Sequence, residues 1–415
     1  MTSSEDLTPP PKKPRTVSND DLYRRSTQYR YWSFTQSKLE DLRVLANKKG
    51  RVLTHKRLED LDPSLDEAKM IKENDVAQFP YVSLDEELKI ITYYARKCQD
   101  LANFFHLPSQ ARSTAIIYLY KFYLTYSVMT YHPQHIMYTC LFLAAKVENS
   151  FIGINNFSKA IPKTSPESIL QYEYLILQTL RFSLRCHHSY QPLYGFYLDI
   201  QQLLPKVDRK RLGQSCDHAR DLVGESLFFD VNFLFTPPQI ALACLWRSDD
   251  ILVERYLAKK LGLKRKQKET DGAEAEAEAE AEAEAGAEAE TETETETEAE
   301  AETKTEAEAK TDTETKTDTK PPKTEEGEVP PQQRFDKMFQ TIKKCSRLID
   351  QASRNPSVEE AKDISSKIRY CLEPLRYGRK LLKQRIAISE IVEEANTKRS
   401  VSTESEQTSK RQKTQ

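Results

Sequence analysis

Apolar side chains recur along most of this chain three and four residues apart, the spacing that lines one face of an α-helix; strict alternation is rare. The strongest stretch runs from His132 to Asn149. Pro133 stands where a first helical residue tolerates proline, because that position's N–H has no intrahelical partner. From Ile136 to Ala145 the residues are almost all apolar, which predicts a helix buried on every side at the centre of a bundle. At about 1.5 Å per residue it is too short to span a bilayer. Lys146 then follows the apolar run. One reading makes it a wetted charge at a helix C-terminus, favoured by the dipole; the other gives its three donors to a partner.

The same periodicity places helices on either side. Ser83-Leu84-Asp85-Glu86 has the form of a capping box and opens a helix to about Phe105, with Leu88, Ile91, Cys98 and either Leu101 or Ala102 inward. Pro108 marks a break, and a second helix covers Gln110 to Thr125. A short helix spans Ile154 to Ala160, and Ser165-Pro166-Glu167 supplies a cap, an N1 proline and a first-turn acid for the next. Helices at Tyr190–Leu204, Arg209–Leu227, Pro237–Trp246 and Ile251–Lys260 make a second unit. Pro133-x-x-Ile136-x-x-x-Cys140-Leu141 recurs there as Pro237-x-x-Ile240-x-x-x-Cys244-Leu245, an echo of one helical module used twice.

Composition sets the limits of the ordered regions. The stretch Gly272–Pro322 is built of Glu-Ala, Glu-Thr and Lys-Thr repeats without a large apolar side chain, which predicts a tethered acidic linker with no core to bury. The predicted organisation is a disordered tail (1–18), an N-terminal helical segment (19–82), a first helical unit (83–184), a second (185–265), the acidic linker (266–333), C-terminal helices (334–396) and a disordered tail (397–415). Glycine is scarce, 10 of 415 residues, in keeping with an all-α fold. The formal net charge is −2, so no global basic field points to nucleic acid. Met1–Asp6 does not read as a signal peptide, and no apolar run reaches membrane-spanning length. Seven cysteines without a C-x-x-C pair argue against a zinc ribbon and predict reduced core thiols in an intracellular protein. Lys12-Lys13-Pro14-Arg15 and Lys410-Arg411-Gln412-Lys413 are short basic clusters, either import signals or solvated tails.

No phosphate-binding loop, dinucleotide fingerprint, nucleophile elbow or zinc-protease helix occurs, so neither an enzyme, a cofactor nor a metal is expected. His187-His188 are too close in sequence to share a helix face. His132 and His135 have no carboxylate or thiol at helical spacing beside them and read as surface or loop histidines. The acidic pair Glu86-Glu87 is accounted for by the helix dipole.

Leu143-Ala144-Ala145-Lys146-Val147-Glu148 resembles the central helix of a cyclin box, and Leu170 to Leu184 resembles the fifth helix of that box. Ser26-x-Gln28-x-Arg30-x-Trp32-x-Phe34-Thr35 and His188-Ser189-Tyr190-Gln191-Pro192 are similar specifically to the cyclin H family. The resemblance implies two five-helix repeats flanked by N- and C-terminal helices, with Phe335–Ile349 as the candidate C-terminal helix packed beside the N-terminal helix on the first repeat. It implies that Lys146 and Glu173 face a bound cyclin-dependent kinase, with Leu143, Ala144 and Phe151 as neighbouring contacts. Arg30, Trp32 and Phe34 would serve in N-terminal helix packing or touch the kinase. The implied setting is nuclear: a trimer with the kinase and a RING-finger assembly factor, within TFIIH, phosphorylating the repetitive tail of RNA polymerase II. A substrate-docking groove and a destruction signal are not implied, because the M-R-x-x-L and R-x-x-L patterns are missing from the first box helix and the N-terminal tail. Rival readings are another transcriptional cyclin with a different kinase and a TFIIB-like nucleic-acid-binding cyclin fold.

Overall fold

The computed structural model describes residues 23–74, 78–162, 164–263, 330–350, 355–391 and 393. Among them every regular element is helical. The tails expected at 1–18 and 397–415 and residues 266–329 of the expected acidic linker lie outside the described residues, while the end of that expected linker, Pro331–Gln333, is instead the start of a helix that runs from Pro331 to Asp350. The chain divides into a unit of residues 1–253 with 340–415 and a unit of residues 254–339.

The first unit is built around α6 (Pro133–Val147), which packs against α4 (Leu84–Phe104) and α5 (Ser109–Tyr123). Every residue from Ile136 to Ala145 except Tyr138 is buried, as an all-round apolar helix requires. The capping box at the start of α4 is present, with Glu86 and Ser83 exchanging hydrogen bonds. The short α7 (Ile154–Ala160) leads to α8 (Pro166–Leu170) and α9 (Glu173–Thr179). The fifth box helix is thus broken at Gln171–Tyr172, where the Tyr172 ring sits 6.0 Å from Tyr131 and 6.4 Å from His135.

The echo in the sequence corresponds to a repeated arrangement. Helix α10 (Tyr190–Leu203), α11 (Arg209–Ser226), the single turn α12 (Val231–Leu234) and α13 (Pro237–Ser248) follow. Helix α13 packs on α10 and α11 as α6 packs on α4 and α5, and Ile240–Leu245 are buried as their counterparts are. Helix α14 (Asp250–Lys260) continues from it.

Two N-terminal helices bind the repeats together. In α1 (Thr27–Trp32), the Gln28 side chain donates to the His187 carbonyl (3.2 Å) and accepts from the His187 N–H (2.7 Å). This pins α1 to the segment that links the repeats. Helix α2 (Gln36–Glu59) reaches both: Arg43 forks onto Asp230 (2.9 and 2.5 Å), while Asn47 donates to Glu87 at 2.8 Å. Helix α3 (Asp66–Glu73) follows.

The C-terminal helices depart from the expectation. Helix α15 (Pro331–Asp350) was the candidate to lie on the first repeat, but Arg247 of α13 pairs with its last residue, Asp350 (2.5 Å). Within residues 254–339, Phe335 and Phe339 stack 5.6 Å apart. The helix that covers the first repeat is α16 (Val358–Leu372), whose Ala361, Ile364, Ile368 and Cys371 join the core of α4, α5 and α6. Arg57 of α2 donates to the carbonyls of Met129 (3.0 Å) and Cys371 (3.1 Å), and Lys367 pairs with Glu86. Both helices carry apolar stripes; only their partners distinguish them. Helix α17 (375–391) then passes so near α3 that a Cβ at Gly378 would lie 2.3 Å from the Glu67 carbonyl oxygen.

Candidate functional site

Lys146 closes the last turn of α6, where a cation meets the negative end of the helix dipole. Glu173 opens α9, where a carboxylate meets the positive end. The break before α9 places this second terminus beside the first, and Lys146 Nζ donates to Glu173 Oε1. The side chains remain 36% and 20% exposed, so the pair borders solvent and keeps donors and lone pairs for another molecule. Lys146 Nζ also lies 4.9 Å from the centre of the Phe142 ring, which fixes its stem against the core.

Around the pair, aromatic surface faces outward. Phe151 is 75% exposed, Tyr174 64% and Phe182 61%. Tyr174 and Phe182 meet edge to face at 6.5 Å, and the Arg181 guanidinium lies 5.1 Å from the Tyr31 ring of α1. Arg181 and Phe182 both hold positive φ, 53° each, and Asn149 after α6 holds 55°. Such a conformation costs a non-glycine residue about 1–2 kcal/mol, and the surrounding turns impose it. Its result is that both loops beside the ion pair present side chains to solvent.

The other expected residues divide. Leu143 (4%) and Ala144 (0%) are enclosed by the chain's own core, so they have no surface to give a partner. On a helix buried all round, these neighbours of Lys146 in sequence point inward. Trp32 (6% exposed) and Phe34 belong to packing. Trp32 forms a small core with Leu39, Leu124 and Phe233, Phe34 donates its N–H to the Phe233 carbonyl at 2.8 Å, and its ring packs 6.1 Å from that of Phe233. Arg30 is exposed on α1.

A second polar network reaches α6 from the interior. Thr114 Oγ1 donates to Glu148 (2.7 Å), leaving its lone pairs to accept from His188 Nε2 at 2.8 Å. Burial pushes the His188 pKa down to about 4, keeping it neutral. The pattern gave no sign of this role, because His188 and Thr114 are far apart in sequence. Nor did it reveal Lys121, which is 1% exposed, 5.0 Å from the Trp32 ring and 3.8 Å from Cys186 Sγ. Among the described residues no group of three or more acidic, histidine or cysteine side chains could hold a metal ion.

The family model for the cyclin N-terminal domain matches residues 67–185, and that for the cyclin C-terminal domain matches residues 188–350. Cyclin CCL1 of Saccharomyces cerevisiae is 38% identical over 265 residues, 63% of this chain and 66% of that protein's length. Cyclin-H of Xenopus laevis is 31% identical over 258 residues, 59% of this chain and 75% of that protein. The solved CAK complex of Chaetomium thermophilum bound to ATP-gamma-S contains a chain of similar fold, with TM-score 0.58 at 24% identity, covering 91% of this chain and 96% of the other.

Proposed function

This chain belongs to the cyclin H family, and from that premise we propose that it is the regulatory, non-catalytic subunit of a transcriptional cyclin-dependent kinase of TFIIH. In this reading the face carrying Lys146, Glu173 and Phe151 receives the kinase's mobile regulatory helix. Lys146 donates to main-chain carbonyls of that helix. Glu173 accepts from its N–H groups and holds Lys146 in place. The cyclin favours the kinase conformation in which this helix swings in and its glutamate pairs with the ATP-binding lysine. The active complex phosphorylates the RNA polymerase II tail, in the nucleus, with a RING-finger assembly factor and the TFIIH core as further partners.

The observation that carries the proposal is the solvent-bordering Lys146–Glu173 pair flanked by exposed Phe151, Tyr174 and Phe182. A pair left at the surface contributes little to folding. Covered by a partner it gains strength, each charge-assisted hydrogen bond contributing about 1.5–3 kcal/mol. Each large apolar side chain adds about 1.5–3 kcal/mol on complete burial. The C-terminal match running to residue 350, with the Arg247–Asp350 pair, supports counting α15 within the second repeat; the acidic stretch is then an insertion inside that repeat.

The test is co-purification of endogenous kinases with the wild-type chain and with the Lys146→Ala/Glu173→Ala variant, assayed on a polymerase-tail peptide. The expected result is an active kinase with the wild type and an affinity loss of about tenfold or more in the variant, at an unchanged melting temperature. Equal kinase binding by both chains would place the interface elsewhere. A wild-type chain that retains no kinase would refute the proposed activity.

A further inference from the structure

On the side of the first repeat formed by the start of α6, the α8–α9 break and the end of α16 lies an open cavity of about 310 Å³. The kinase reading does not use it. Its lining includes Arg369, Arg376, His132 and His135. The one carboxylate in the lining, Glu373, is engaged by Arg376 at 2.5 and 3.3 Å. The Arg369 carbonyl accepts from the Glu373 N–H at 2.8 Å, but its guanidinium makes no hydrogen bond or ion pair among the described residues. Two guanidinium groups of the lining, Arg369 and Arg376, thus stand against one carboxylate.

The neutral donors have the same sense. His132 Nδ1 accepts from the Gln134 N–H at 3.2 Å. A neutral imidazole that accepts at one nitrogen carries its proton on the other, so Nε2 is a donor. That Nε2 is buried and has no hydrogen-bond partner among the described residues, which in a folded chain calls for an explanation. Thr130, Tyr131, Gln134, Tyr172 and Leu372 complete the lining. The positive end of the α6 dipole lies here as well, though its first free N–H is already capped by His132, so the side chains make the site.

The basic surface continues beyond the cavity. Arg376 also lines a neighbouring notch of about 380 Å³, with Lys380 and Lys383 on α17. We propose that this cleft binds a phosphorylated serine or threonine in an acidic peptide segment, the phosphate seated against Arg369 and Arg376 and the acidic flank running along α17. Phosphate is favoured over carboxylate because it carries a second negative charge, and planar guanidinium groups grip its oxygens in pairs. A peptide is favoured over free phosphate because the basic track extends well past one phosphate group.

The test measures fluorescence anisotropy of a labelled alanine-rich peptide bearing one phosphoserine followed by glutamates, titrated with the full-length chain. Its unphosphorylated twin and inorganic phosphate serve as comparison and competitor. The expected result is binding of the phosphopeptide at least about tenfold tighter than the twin, and a loss of about tenfold in Arg369→Ala. Arg376→Gln, at a second exposed position, should weaken binding in the same direction. Equal binding of twin and phosphopeptide would overturn the inference, as would unchanged binding in both arginine variants at wild-type melting temperature. Inorganic phosphate binding as tightly as the phosphopeptide would overturn the peptide as occupant.

Discussion

Replacing His188 by glutamine should remove an acid-labile element of the fold, and the size of the effect follows from its burial. His188 stands where the second repeat begins, 9% exposed, and donates through Nε2 to Thr114, which in turn donates to Glu148. Its pKa falls from the ordinary 6.5 to about 4, first because burial opposes the charged ring and then because Lys121 and His187 lie near. A base whose folded pKa is depressed stabilises the fold fully above its unfolded pKa. That stability is lost as pH falls from about 6.5 towards 4, because the unfolded chain takes up the proton first. Linkage across this window gives a loss of about 2 kcal/mol at about pH 5 and almost none at about pH 7.5.

Glutamine keeps an N–H donor for Thr114 and does not titrate. Urea unfolding followed by circular dichroism, at about pH 7.5 and about pH 5, should show the wild type losing about 2 kcal/mol more than His188→Gln between the two conditions. His132, also pushed down to about 4, adds a similar loss to both proteins. Glu87 acts in the opposite sense: burial raises its carboxyl pKa, so its contribution to stability declines as pH rises through that raised value. Both background effects cancel in the comparison. A pH-independent difference between the proteins would show that His188 takes up its proton in the folded chain as readily as in the unfolded one, refuting the argument.

Gly50→Ala should destabilise by about 1–3 kcal/mol in a thermal melt, although alanine favours helix by about 1 kcal/mol, because the new Cβ would lie 2.4 Å from Ser127 Oγ. Arg43→Ala should cost about 3–5 kcal/mol, since it takes the guanidinium fork from the Asp230 carboxylate where both side chains are nearly enclosed (6% and 12% exposed); urea unfolding measures it. Trp32→Ala should cost about 3–5 kcal/mol and loosen α1, seen as faster proteolysis ahead of α2.

The helices were legible because their signals are local. Proline at N1, capping boxes and apolar spacing mark α4, α6 and α13 without knowledge of their partners, and the Pro133/Pro237 echo shows a repeated packing unit. What packs on what was less legible. Helices α15 and α16 both show apolar stripes, and nothing in either stripe indicates that Ile364 and Ile368 belong against α4 while Asp350 pairs with Arg247. The N-terminal aromatic run and the His187-His188 segment looked like separate signatures. In the fold they meet, through Gln28 and the His187 backbone, so the two motifs are halves of one contact.

The candidate site shows the same division more sharply. Lys146 reads from the sequence as a charge at a helix end, but its link to Glu173 came from the resemblance to the cyclin box, since the break that makes Glu173 a helix start lies inside what reads as one helix. Leu143 and Ala144 could not be separated from them by position in the motif, since burial depends on the angle around α6 and on what surrounds it. Glu87 is the converse. In a first helical turn it resembles a dipole-compensating surface acid, yet it is 4% exposed and accepts from Asn47 (2.8 Å) and the Val128 N–H (2.7 Å). The turn before α6 and the N-terminal helix α2 converge on that one carboxylate. Its neighbour Glu86 takes the capping role, so two adjacent acids of the same first turn serve different purposes, and only the third dimension distinguishes them.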